Sequence, residues 1–334
     1  MKERNIVFDN IKGLMLFFVA FGHVLDVYCS NNKNIIEYDI MKYIYLFHMP
    51  MFAFITGFFS KNVEKSRDNA VKKILIPYIL FQSVYVLMAS IMIKLKLATF
   101  NANVFNYSII LPSSAFYYLL ATFFWKIFAK DIIKLKKPII VSVLLGLIIS
   151  LTRFDDFHTG YGAVFSLLPF FVLGLAASEE LINKIRGFNK LFLIIILIAG
   201  IIPAHFFPYA IHSIRLTYAH QGFGNIEGML WRIVYYVIAI VMGMAIVGLV
   251  PNKGLFFSRV GKNSILVYAI STFLSPSLYV LIDHYLKFSN NSIVNFIIMI
   301  IFCVFIIWIA SIEIIQKIYG FIIDNITSFI FRKD

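Results

Sequence analysis

The feature that most constrains this chain is a succession of apolar stretches, each about as long as a bilayer is thick. A membrane-crossing helix needs about 20 mostly apolar residues. The 334-residue sequence supplies ten such stretches: 6–28, 41–60, 72–93, 112–129, 138–152, 162–178, 190–208, 229–250, 264–284 and 293–316. Hydrocarbon offers no partner for backbone polar groups, so the stretches are read as helices. The expected fold is all-α, a polytopic membrane bundle of about ten transmembrane helices forming one integral-membrane domain over 1–334. With 60% hydrophobic and 14% charged residues, the composition excludes an ordinary soluble domain. The fifth stretch is the shortest, and Pro77 is expected to break or kink the third near its start. A final apolar segment, 319–331, is too short to cross and is expected in the membrane interface.

The net charge of +13 first reports topology in a chain of this kind, and no nucleic-acid partner is needed to explain it. With both termini cytoplasmic, 21 of the 30 Lys and Arg fall on the inside and 8 outside; Lys12 lies within the first span. That orientation is the expected one, and high Lys, Ile and Asn usage is compatible with a bacterium, whose plasma membrane is then the expected location. Asp9 and Lys12 interrupt the start of the first span, so it does not read as a cleaved signal peptide. Two cysteines, Cys29 and Cys303, make no disulfide framework, and no fixed-period repeat is visible. The longest connection, 209–228, is expected to form an external cap.

Ionisable groups inside a bilayer are costly, and each one deep in a span is a functional candidate. Here they concentrate in the first two spans: Asp9, Lys12, His23 and Asp26 in the first, His48 in the second. Eleven residues separate Lys12 from His23, about three helical turns, so the two share a face roughly 16 Å apart. Asp9 stands three residues before Lys12 and Asp26 three after His23, each within reach of its neighbour. On the returning second span, His48 falls at a depth similar to that of His23. Two imidazoles, a carboxylate and an aligned cation make an acid–base site reached from the cytosol. An interhelical hydrogen-bonding role for each His, and snorkelling for Lys12, remain open at this level. No HxxxH or HExxH pair supports a metal, and none is expected.

At these residues the chain resembles a known family. FDNIKGLMLFFVAFGHVL (8–25) followed by IYLFHMPMFAFITGFFSK (44–61) is similar to the acyltransferase 3 family of membrane-bound O-acyltransferases, most closely to its bacterial fucose 4-O-acetylase-like branch. The family's basic-x10-His motif reads Lys12 to His23, with Lys where many members carry Arg. The Phe-His-Met-Pro…Gly motif reads Phe47 to Pro50 and Gly57. KILIPYILF (73–81), LPFFVLG (168–174), WRIVYY (231–236) and RVGKNSILVY (259–268) follow in the family's order. Where the family often has Trp-Phe-Leu, this chain has Tyr117 and Tyr118 with the Trp displaced; the His that often follows the last motif is absent.

The resemblance implies transfer of an acyl group, usually acetyl, from cytosolic acetyl-CoA to a hydroxyl of a cell-envelope glycan or its lipid-linked precursor. On that reading Lys12 with Asp9, Lys72, Lys73, Arg259 and Lys262 gather at the CoA phosphates. His23 is the general base or a transient acyl acceptor, Asp26 orients it, and His48 meets the thioester carbonyl or its oxyanion. Tyr117, Tyr118, Arg215 and Glu227 are candidate acceptor contacts, with His212 and His220 as further outer-loop candidates. The competing classes are a proton-coupled transporter or flippase of a polar envelope precursor, using His23, His48 and Asp26 as a relay, and a structural subunit. Binding of CoA separates the enzyme from both.

Overall fold

The structure is a computed structural model describing residues 5–31, 35–94, 110–152, 160–208, 217–286 and 292–331. Every regular element among them is helical. In chain order they are α1 (Ile6–Asn31), α2 (Ile35–Tyr45), α3 (His48–Phe58), α4 (Val63–Asp68), α5 (Ile76–Lys94), α6 (Tyr117–Ile132), α7 (Pro138–Ile148), α8 (Tyr161–Ser166) and α9 (Leu168–Ala176). Then come α10 (Glu179–Arg186), α11 (Lys190–Ala199), α12 (Ile201–Phe206), α13 (Asn225–Leu249), α14 (Phe256–Lys262), α15 (Ser264–Leu286), α16 (Ser292–Ala310) and α17 (Glu313–Ile330). Four described helices are by themselves long and apolar enough to cross a membrane: Ile6–Cys29, Val71–Ile91, Asn225–Leu249 and Ile293–Ala310. The chain is a membrane protein.

Several apolar stretches are not single helices, and proline explains why. A proline ring clashes with the carbonyl four residues earlier and has no N–H to give it. Pro50 does this to Leu46, so the stretch 41–60 breaks at Leu46–Phe47 into α2 and α3. Pro169 follows the break between α8 and α9, and the chain then bends by 96° into α10. Pro203 lies just past Gly200, where 190–208 divides into α11 and α12. Pro77 acts differently: a π-helical turn over Val71–Leu75 absorbs the missing bond, and the helix continues as α5. The last stretches are also redrawn. α16 ends at Ala310, not 316, and the amphipathic α17 starts at Glu313, not 319, with none of its residues buried.

Two helix crossings organise the core, each built on a reciprocal pair of glycines. Where α1 meets α14, a Cβ on Gly13 would stand 2.0 Å from the Phe257 carbonyl oxygen, and one on Gly261 would stand 1.9 Å from that of Asp9. Where α3 meets α9, a Cβ on Gly57 would lie 1.9 Å from the Phe171 oxygen, and one on Gly174 would lie 2.0 Å from that of Phe54. Lipid is as apolar as Leu, so backbone proximity and dispersion must hold such helices together. Buried Asn10 adds a polar tie. Its amide nitrogen donates to Pro251 O at 3.0 Å and Lys253 O at 2.9 Å, fixing the segment that leads into α14. Asn10→Ala is expected to cost about 1–2 kcal/mol, seen as a melting temperature several degrees lower in detergent.

At the other end of α1–α3, Asp39 on α2 receives Lys42 Nζ at 3.0 Å and the His205 ring at 2.5 Å. Burial pushes the Asp39 carboxyl up, but the hydrogen bonds from His205 and Lys42 prevail and hold it below its ordinary value. Arg232, one of the eight cations that the in–in topology puts outside, is buried in α13, donating to Ser150 Oγ at 3.1 Å and facing the Tyr218 ring at 5.7 Å.

Candidate active site

α1 and α3 run antiparallel and in contact. Lys12 Nζ sits 5.6 Å from the centre of the Phe59 ring, which pins one end of the pair. His23 lies eleven residues beyond Lys12, and His48 eleven before Phe59. Equal intervals on antiparallel helices bring the two histidines to the same level, about 16 Å from the Lys12 end. The imidazoles are within electrostatic reach of one another. Gly22 lies against the Tyr45 ring, and that ring meets His48 edge-on at 4.8 Å, which closes the triangle around the break in the second stretch.

The break also fixes the state of His48. The imidazole is buried, and Nδ1 lies 2.8 Å from the Ile44 carbonyl oxygen at the end of α2. A carbonyl only accepts, so Nδ1 carries the proton, and in the neutral ring Nε2 is an acceptor. An oxyanion contact through His48 therefore requires the doubly protonated ring. At the start of α3, Pro50 has no N–H and Met51 N is taken by Phe47 O at 2.9 Å, which leaves the amides of His48 and Met49. Phe47 supplies no side-chain cap, and the N-terminal N–H groups of a helix have no intrahelical acceptors.

From the Lys12 end a cavity of about 240 Å³ runs along α3 toward this level. Phe52, Ile55, Thr56 and Phe59 line it from α3, and His48 continues the same face one turn further. Tyr118 and Thr122 of α6 and Tyr268 of α15 supply hydroxyls to its walls. The Tyr118 and Thr56 hydroxyls are 2.7 Å apart, and Tyr268 donates to the Ala115 carbonyl. Trp125, the displaced tryptophan, is buried behind Tyr118, stacks on Phe171 at 5.4 Å and donates to Val164 O at 2.7 Å.

At the mouth, Lys12 pairs with Asp9 at 2.7 Å. The other expected donor cations do not line the cavity. Lys72 and Lys73 are exposed, Lys72 lying 4.8 Å over the Phe331 ring. Arg259 and Lys262 are exposed on α14, within reach of Glu313 on α17. Of the acceptor candidates, Tyr118 lines the cavity, while Tyr117 is buried within electrostatic reach of Tyr235. Glu227 is exposed in the first turn of α13 and His220 is exposed in the turn before it. Arg215 and His212 lie outside the described residues. Asp26 stands half-buried one turn beyond His23.

Sequence reading passed over Thr56, Tyr268 and Lys126 as site residues. Lys126 lines the cavity opposite Lys12, its Nζ 3.3 Å from Ser60 Oγ and 3.2 Å from Ser66 Oγ. It stands three residues before the end of the fourth apolar stretch, 112–129, where a lysine counts as one of the inside topology markers. The signal was there in the lack of any acidic residue three or four positions away.

The family model described as "Acyltransferase domain", of the acyltransferase 3 family, matches residues 5–312. The chain belongs to the acyltransferase 3 family. Both histidines, Lys12, Lys126 and both glycine crossings fall inside the matched range. A further similarity is to the Nodulation protein NolL of Sinorhizobium fredii (strain NBRC 101917 / NGR234), 40% identical over 57 residues. That match covers 17% of this acyltransferase-family chain and 16% of the relative's length. No solved structure matches the chain.

Proposed function

We propose that this protein is a membrane-bound O-acetyltransferase that moves an acetyl group from cytosolic acetyl-CoA to a hydroxyl of a cell-envelope glycan or its lipid-linked sugar precursor. The observation that carries the reading is the cavity that starts between Lys12 and Lys126 and follows the His48 face of α3, in a chain of an acyltransferase family. The phosphates of the donor stay at the cationic mouth, and its slender pantetheine arm carries the thioester inward along the cavity. The protein crosses a bacterial plasma membrane ten times with both termini inside; each broken pair α2–α3, α8–α9 and α11–α12 then counts as one crossing.

In the reaction, His23 takes the proton of the acceptor hydroxyl, and the oxygen attacks the thioester carbon. Asp26 stabilises the resulting imidazolium. Negative charge on the carbonyl oxygen is met by the free amides at the start of α3. The carbon–sulfur bond then breaks, and the CoA thiolate recovers the proton from His23.

The test is transfer of label from radiolabelled acetyl-CoA by purified protein, with and without envelope glycan, beside Lys12→Ala. Wild-type protein is expected to label the glycan. Lys12→Ala is expected to raise the KM for acetyl-CoA roughly tenfold with a smaller change in kcat, because the cation contributes to binding in ground and transition state alike. No transfer, hydrolysis or CoA binding by the wild type would sink the enzyme reading and point to transport of an envelope precursor.

A further inference from the structure

The charge balance at the cavity mouth is uneven. Lys12 is matched by Asp9 at 2.7 Å, and the nearby carboxylate of Glu64 on α4 is taken by Lys130 at 2.7 Å. Among the described residues, half-buried Lys126 has polar contacts only with the hydroxyls of Ser60 and Ser66. Lys73 stands within electrostatic reach and adds a like charge. An ammonium withdrawn from water is costly unless an anion or several hydrogen bonds compensate it. Ser60 gives its own proton to Thr56 O at 2.7 Å, so toward Lys126 it can only accept. Ser66 accepts from Lys126 and keeps its proton for another acceptor. Lys126 lines the cavity, with buried Ser66 behind it, and a cation held at a cavity wall by hydroxyls alone makes a half-built anion site.

We propose that Lys126, held in place by Ser60 and Ser66, forms a phosphate-binding subsite, taking a phosphate of the acyl donor at the cavity mouth beside Lys12. This rests on the donor reading given above and names the group that holds the nucleotide end. Lys12 and Lys126 then grip the donor from α1 and α6, leaving the phosphate-free arm to enter between them.

The experiment is calorimetric binding of CoA and of pantetheine, which lacks phosphate, to the full chain in phosphatidylcholine nanodiscs. Lys126→Gln is expected to weaken CoA binding about tenfold or more and to leave pantetheine affinity unchanged, while Lys126→Arg keeps most of the CoA affinity. A melting temperature for each variant without ligand separates loss of the site from loss of the fold. Equal CoA affinity in wild type and Lys126→Gln would overturn the subsite alone. An equal drop for pantetheine would also overturn it, since Lys126 would then only shape the cavity. Repeating the titration with phosphatidylglycerol added tests the other phosphate source: competition with CoA that disappears in Lys126→Gln would reassign the residue to a lipid headgroup. Absence of CoA binding by the wild type would bring down the donor reading itself.

Discussion

Replacing His23 with Ala is expected to cut acyl transfer about a thousandfold or more while leaving the protein folded and able to bind CoA. General acid–base catalysis by a placed side chain contributes about 10²–10⁴-fold, and no other described group at this level is equally poised. His48 is the nearest rival, but its Nδ1 proton is committed to Ile44 O, and the ring is buried beside the α2–α3 break. His23 is half-buried on an unbroken helix, so its removal leaves the backbone of α1 intact. The measurement is label transfer from acetyl-CoA at saturating donor, set beside CoA affinity and melting temperature. Full activity in His23→Ala would end its assignment as base. Activity lost together with CoA binding would mean that the residue shapes the donor cavity and is not part of the chemistry.

The long apolar helices were legible because length and hydropathy are local properties of the sequence. α1, α5, α7, α13 and α16 begin within a few residues of the stretches read for them. The breaks were less legible, although each has a proline beside it. Pro50, Pro169 and Pro203 divide a stretch, whereas Pro77 is absorbed by a π-turn, and which outcome prevails depends on neighbouring helices. The shared level of His23 and His48 was readable because it depends only on intervals along two antiparallel helices. The partners of the cations were not. Whether Lys72, Arg259 or Lys126 faces the cavity is decided by the rotation of helices distant in sequence. Two of these three are exposed and only Lys126 lines it.

The same residues that carry the family resemblance turn out to serve two purposes. Phe-His-Met-Pro…Gly contains a histidine at the break, the proline that causes the break and the glycine of the α3–α9 crossing. LPFFVLG supplies Gly174, the other member of that crossing, and the RVGK segment supplies Gly261 for the α1–α14 crossing. The Gly261 position meets the backbone of Asp9, the residue that pairs with Lys12. Packing and site are therefore coupled at both ends of the cavity, and a motif residue with no reacting atom can still set the geometry of one that has them.

Gly174→Val puts that coupling to its most demanding test. Even a Cβ at this position would stand 2.0 Å from the Phe54 carbonyl oxygen and 2.8 Å from the Phe58 nitrogen. Both are backbone atoms, so no side-chain rotation relieves the overlap, and α3 and α9 must move apart. Overpacking costs about 1–3 kcal/mol in favourable cases, and separating two backbones is expected to exceed that range. The shift would be transmitted along α3 to Thr56, Phe52 and His48. The expected result is little or no folded protein in the membrane fraction, with a melting temperature far below wild type for whatever is recovered. Gly320→Ala is the control: Gly320 has nothing within 4 Å of an added Cβ and lies inside α17. Alanine there should be neutral or stabilise by about 0.5–1 kcal/mol. Normal yield and stability for Gly174→Val would refute the close α3–α9 crossing and, with it, the alignment of the cavity on which the site depends.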